Sequence, residues 1–240
     1  MAIRTVPAGP GMLQVPKRQD VPTEHLLILI SPWQGGTPPS MKPAQVPLRI
    51  LYIFAGEHRQ ADIGDYFRKW VAKYNSHGGL QLSLELTELD AKRGGSDHDL
   101  LDATRQQHLI KCIEDGYYDL VLAAPPCNSF SRATFSSKPG PPPVRDLQWP
   151  NGFPWLSGAA LARATEGNVL AEFALDCLRA VIIARARHPD RHVHGWLEFP
   201  EDMGSTQKGD PASLWQMKKA QDLEGTFSTG VRSIIASGRS

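Results

Sequence analysis

In VLAAPPCNSFSRA (121–133) a cysteine, Cys127, stands directly behind two prolines at the end of an apolar run. A thiol that opens such a loop becomes a nucleophile when nearby backbone amides lower its pKa. Pro125 and Pro126 fix backbone angles and stiffen the approach. Ser129 and Ser131 add hydroxyls. Alone, the same pattern equally describes a buried structural cysteine after a proline turn. Glu198 closes GWLEF just before Pro200, where a carboxylate would either face the same crevice or cap a helix. Gly56 in FAGEH (54–58) would let the backbone approach a ligand closely, although a tight turn explains it as well. Glu88, with Asp90 as its rival, ends an alternating stretch where doubly wound folds place an acid for ribose hydroxyls.

These residues gain weight from the elements that must position them. LRILYIF (48–54) is a near-continuous apolar run, as expected of a strand covered on both faces. ADIGDYFRKWVAKYN (61–75) sets Ile63, Phe67, Trp70, Val71 and Tyr74 on one helical face. LQLSLELTELD (80–90) alternates as a second strand. Residues 96–116 read as a helix capped by Ser96 or Asp97 and closed by Gly116. YDLVLAA (118–124) reads as a buried strand, 168–188 as a long helix, HVHGWLEF (192–199) as a fourth strand, and PASLWQMKKAQ as the start of a last helix. This alternation predicts an α/β fold, a doubly wound, mostly parallel sheet with helices on both faces. Ligands then bind beyond the carboxyl ends of the strands, where all the residues above fall.

Bulk properties bound the rest. A chain of 240 residues with net charge +1 has room for one good-sized domain and is not a strongly basic nucleic-acid binder. Residues 1–46 are rich in proline and glycine and are read as a disordered arm, leaving 47–240 as the α/β domain. The HLLILI run inside the arm could dock as one strand. No apolar run approaches the length needed to span a bilayer, so no membrane is expected as a partner. Cys112, Cys127 and Cys177 fit neither a disulfide framework nor a zinc site. That points to a reducing, intracellular compartment, the nucleus if the source is eukaryotic. His188, His192 and His194 are read as part of a solvated turn rather than a metal site.

PPCNSFSRA resembles the catalytic motif of the cytosine-C5 DNA methyltransferases, a prolyl-cysteine followed by a phenylalanine-serine pair. Phe54-Ala55-Gly56 is similar to that family's first motif for S-adenosyl-L-methionine (SAM). Glu88-Leu89-Asp90 is similar to the acid after its second strand, and Asp99-Leu100 to the aspartate that reaches the adenine. Asn168-Val169-Leu170 matches its Asn-x-Leu element, and Glu198-Phe199-Pro200 its Glu-Asn-Val motif with only the glutamate kept. These motifs run in the family's order over residues 48–204. The resemblance implies a Rossmann-like SAM-methyltransferase fold and a DNA partner, with RNA as the alternative. It implies a base flipped into a pocket, the Cys127 thiolate adding to C6 of cytosine, and Glu198 holding the N3 and amino edge. Phe54, Ala55, Gly56, Glu88, Asp99, Leu100, Pro125, Asn168 and Leu170 would hold the cofactor, and the reaction needs no metal.

The pattern also departs from the family. His58 stands where its first motif has a second glycine, and Phe199 replaces an asparagine. No arginine motif, target-recognition region or final cofactor-site helix is found, and Arg232 is a poor stand-in for the arginine. The fold is thus expected to be C-terminally incomplete: a fragment, a chain completed by a partner, or a reduced relative. Trp149, Phe153 and Trp155, in the segment 137–158, are read as packing the loop onto the core, with stacking of a flipped base as their other use. Besides the enzyme, two readings stay open. One is a non-catalytic relative that binds nucleic acid or protein, as part of a polyprotein or mobile element. The other is an unrelated cysteine enzyme on a doubly wound sheet.

Overall fold

The structure, a computed structural model, describes residues 45–136 and 140–227. The arm to residue 44, with its HLLILI run, and the tail with Arg232 lie outside the described residues.

Four strands, β1 (Gln45–Ile53), β2 (Gln81–Leu89), β3 (Leu120–Ala123) and β4 (His194–Leu197), form one all-parallel sheet in the order β2-β1-β3-β4. The connecting helices are α1 (Ile63–Ser76), the single turn α2 (Ala91–Gly94), α3 (Ala103–Glu114) and the thirty-residue α4 (Gly158–Arg187), with α5 (Lys218–Phe227) after β4. The chain moves one way from β1 to β2 and the other way from β3 to β4. Right-handed crossovers then require helices on opposite faces. Two cores follow. Ile50 and Tyr52 of β1 pack with Val71 of α1 on one face. Leu51 and Ile53 pack with Leu109 of α3 and Phe173 and Leu178 of α4 on the other. The strands are apolar on both faces because both are covered. The architecture is α/β with a parallel sheet, compatible with a Rossmann-like fold. Among the described residues no helix is long and apolar enough to cross a membrane.

Several boundaries differ from the sequence expectation. β1 starts at Gln45, inside the expected arm, and Pro47 is tolerated there because β3 pairs only with Ile50–Ile53. The helix expected over 96–116 is broken. Asp99 Oδ1 accepts from Leu101 N–H at 2.9 Å and Asp102 Oδ1 from Thr104 N–H at 2.8 Å. These side chains compete with helical bonding, so α3 starts only after Asp102, its N-cap. α4 starts at Gly158 rather than near Asn168. Its first turns are alanine-rich and helix-prone, and they bury Ala164 and Gly167. PASLW opens with a short 3-10 turn, Leu214–Gln216, before α5.

Candidate active site at the strand ends

β1 and β3 are neighbours, and the chain leaves them in opposite directions, so the switch point lies between them. Cys127 follows β3 there, half-buried behind a buried Pro125 and an exposed Pro126. Phe130 N–H donates to Cys127 O at 2.9 Å, which turns the chain at once and buries Ser129 and Phe130. Glu198 comes off β4 beside it, for its N–H donates to Ala123 O at 2.8 Å, and its side chain is exposed. Burial pushes the Cys127 thiol above its ordinary value; its own backbone amide pulls it down in part, and the Glu198 carboxylate pushes it up further. The backbone amides expected to activate the thiol are thus outweighed. Glu198 also lines a pocket of about 20 Å³ with Tyr52, Ile63, Ala124 and Trp196, large enough for a water but not for a base. Tyr52 is a site residue that sequence reasoning passed over. Its one signal was a polar tip inside an apolar strand. Burial raises its hydroxyl pKa, and Glu198 adds to the effect.

The loops after β3 and β4 are bound together. Arg132 donates to the carbonyls of Met203, Gly204 and Ser205 at 2.7, 2.6 and 3.0 Å. Trp215 Nε1 donates to Pro200 O at 2.8 Å. Phe199 is buried edge-on to Phe130 at 5.5 Å and to Trp215 at 6.5 Å. Where the resemblance has an asparagine, this chain therefore has a packing residue that joins the two loops.

Arg145 is the second residue the sequence did not single out, since one arginine in a proline-rich loop reads as a solvated charge. It is buried, with its guanidinium 3.9 Å over the Phe130 ring. It donates to Pro150 O and Ala164 O, each at 2.7 Å, to Ser129 Oγ at 3.3 Å and to Asn168 Oδ1. Burial and the neighbouring Arg163 lower its pKa to about 10. Asn168 in turn donates to Asn151 O at 2.8 Å. Asn168 is thus spent on holding the 140–157 loop against α4, and Leu170 packs against the core. In that loop Phe153 and Trp155 stack at 4.9 Å and 6°. Trp155 stays 68 % exposed, contrary to the expectation that the loop's aromatics pack inward.

Across the switch point, Phe54 and Gly56 have φ of 62° and 67°. The left-handed turn is natural for the glycine and a strain for the phenylalanine. The Phe54 ring goes into the core, edge-on to Phe173 at 6.3 Å. Gly56 N–H donates to Asp90 Oδ2 at 3.0 Å, so Asp90 holds the turn while its other oxygen caps α2. Arg93, from α2, donates to Gly56 O at 2.7 Å, Ala55 O at 3.3 Å and Asp62 Oδ2 at 2.9 Å. Its Nη1 stands 3.0 Å from Glu88 Oε1 without an aligned N–H, leaving that oxygen buried and without a hydrogen bond. Arg68 pairs with the other Glu88 oxygen at 3.3 Å. His58 is exposed and contacts Asp62 at 2.7 Å. Asp99 turns onto its own backbone and Leu100 lies in the core.

The structure therefore brings Cys127, Pro125 and Glu198 to one side of the switch point and Ala55, Gly56 and Glu88 to the other. Phe54 and Leu100 lie in the core behind them, and Leu170 packs against that core. Among the described residues no group of three His, Cys, Asp or Glu side chains gathers as a metal site. In comparisons with known proteins, no family model, no curated protein and no solved structure matches the chain.

Proposed function

We propose that the chain is a SAM-dependent methyltransferase acting on C5 of cytosine in DNA. The observation that carries the reading is the placement of Cys127 and Glu198 on adjacent strand ends, across the switch point from a glycine turn and a partly buried acid. The residues present fit the cofactor. Space is open beyond Gly56, and Ala55 O, Gly56 O and Glu88 form a set of acceptors suited to a cationic, hydroxyl-rich molecule. When bound, SAM supplies an electrophilic methyl group. Glu88 would accept from its hydroxyls, Phe54, Leu100 and Leu170 would back the site with apolar surface, and S-adenosylhomocysteine would be the group that leaves.

Cys127 Sγ, as thiolate, forms a bond to C6 of the cytosine, and Glu198 holds a proton at N3 so that the negative charge does not build up on the ring. C5 gains the electron density needed to take a methyl group. A water takes the C5 proton, the C5=C6 double bond re-forms as the S–C6 bond breaks and returns the thiolate, and the N3 proton goes back to Glu198. Pro125 and the Arg132 clasp keep the two loops rigid during this cycle. Near-neutral net charge means that DNA must be gripped by local contacts or by a further segment or partner chain.

The test is to incubate the full chain with methyl-labelled SAM and cytosine-containing DNA. Labelled 5-methylcytosine should form, and Cys127→Ala should abolish it. No label in DNA or RNA would reject the reading. One observation favours a second reading, a non-catalytic relative: Arg93 fills the acceptors on which the cofactor would depend. Under that reading SAM does not bind at all.

A further inference from the structure

We infer that Arg93 is a gate on the strand-end crevice, which a ligand opens by displacing its guanidinium. The inference rests on the cofactor reading above. Arg93 by itself engages Ala55 O, Gly56 O, Asp62 and Glu88, so one side chain fills the acceptors on the glycine-turn side of the crevice. The crevice is thus built for a donor-rich cation, and in this structure the cation is the protein's own.

Three features mark the arrangement as displaceable. Arg93 sits on α2, a single turn with no residue in either hydrophobic core, so although its side chain is only 11 % exposed, moving it opens no apolar core. Its bond to Glu88 is incomplete: Oε1 is buried beside the guanidinium yet receives no aligned N–H. A ligand hydroxyl would supply what Arg93 does not. Finally, Glu88 keeps Arg68 on its other oxygen, and Asp62 keeps the Asp65 N–H at 2.9 Å. The two acids are therefore not left bare when Arg93 swings out. A ligand binds the open form only, so its apparent affinity is reduced by the fraction of chains that are open.

The experiment is calorimetric titration of SAM into the full chain, Arg93→Ala and Arg93→Lys, with circular dichroism to confirm folding. The gate predicts that Arg93→Ala binds SAM about tenfold or more tightly than wild type. Arg93→Lys falls between them, because lysine keeps the charge but loses the fork. A merely structural arginine would shift affinity the other way. Binding to Arg93→Ala that equals or falls below measurable wild-type binding overturns the gate and leaves the cofactor reading standing. No binding to any of the three overturns the cofactor reading and the gate with it. Should Arg93→Ala fail to fold, Arg93→Lys decides: tighter than wild type supports the gate, equal or weaker overturns it.

Discussion

Glu198 and Cys127 act on one another from neighbouring strand ends, the carboxylate raising the pKa of a thiol that burial has already raised. The thiolate is therefore disfavoured in the free protein. Alkylation of Cys127 by iodoacetamide at about pH 8 should run slower than that of a cysteine in an unstructured peptide. Glu198→Gln removes the raising charge and should speed it. Mass spectrometry of the Cys127 peptide reads both rates. Cys112, pushed up to about 11 by burial, serves as an internal control. Slower labelling of Glu198→Gln would contradict the coupling.

Arg145 should be worth more to stability than any surface charge. Arg145→Ala orphans the buried carbonyl of Ala164, releases that of Pro150, drops the contact to Phe130 and frees Asn168. A loss of about 2–4 kcal/mol is expected in urea unfolding. Arg145→Lys should recover little of it, since one ammonium cannot replace the fork. A loss within the range of ordinary surface changes would refute the role.

Gly167 offers a test in which two effects oppose each other. Helix propensity alone says that Gly167→Ala in α4 should stabilise by about 1 kcal/mol. A Cβ there, however, would lie 2.1 Å from Ser129 Oγ, and Ser129 is buried beneath Arg145. Overpacking of this kind costs about 1–3 kcal/mol, so the net effect should be destabilising. Adding Ser129→Gly should restore the lost stability. A higher melting temperature for Gly167→Ala alone would show that the loop does not press on the helix.

Asp62 ties pH to the crevice. Burial opposes its ionisation, but the Asp65 N–H, Arg93 and His58 outweigh it and hold the carboxyl at about 2. Its folded pKa lies below the unfolded value of about 3.9. Its stabilisation is therefore present above that value and is lost as pH falls toward 2. The melting-temperature gap between wild type and Asp62→Asn should be widest above about pH 5 and shrink on acidification. A gap that does not change with pH would rule this out.

The strands and their order of chemistry were legible because an apolar run and a loop residue are both local signals. Cys127, Glu198 and Gly56 could be placed at strand ends without knowing a single contact. What lay hidden depended on partners distant in sequence. Arg93 sits in AKRGG and Arg145 in PPPVRDL, where nothing local distinguishes a buried bridging guanidinium from a solvated one. The break before α3 turned on aspartates bonding their own backbone, and the early start of α4 on alanines that carry little periodic pattern. Phe199 looked like a lost asparagine until Phe130 and Trp215 were seen around it.

A bond between Cys127 and the base can be trapped. DNA carrying 5-fluorocytosine has no C5 proton to lose, so once C5 is methylated the sulfur cannot leave C6. The full chain incubated with SAM and this DNA should give a peptide containing Cys127 with the nucleotide attached, absent without SAM and absent in Cys127→Ala. No adduct, or an adduct on Cys112 or Cys177 instead, would mean that Cys127 is not the nucleophile.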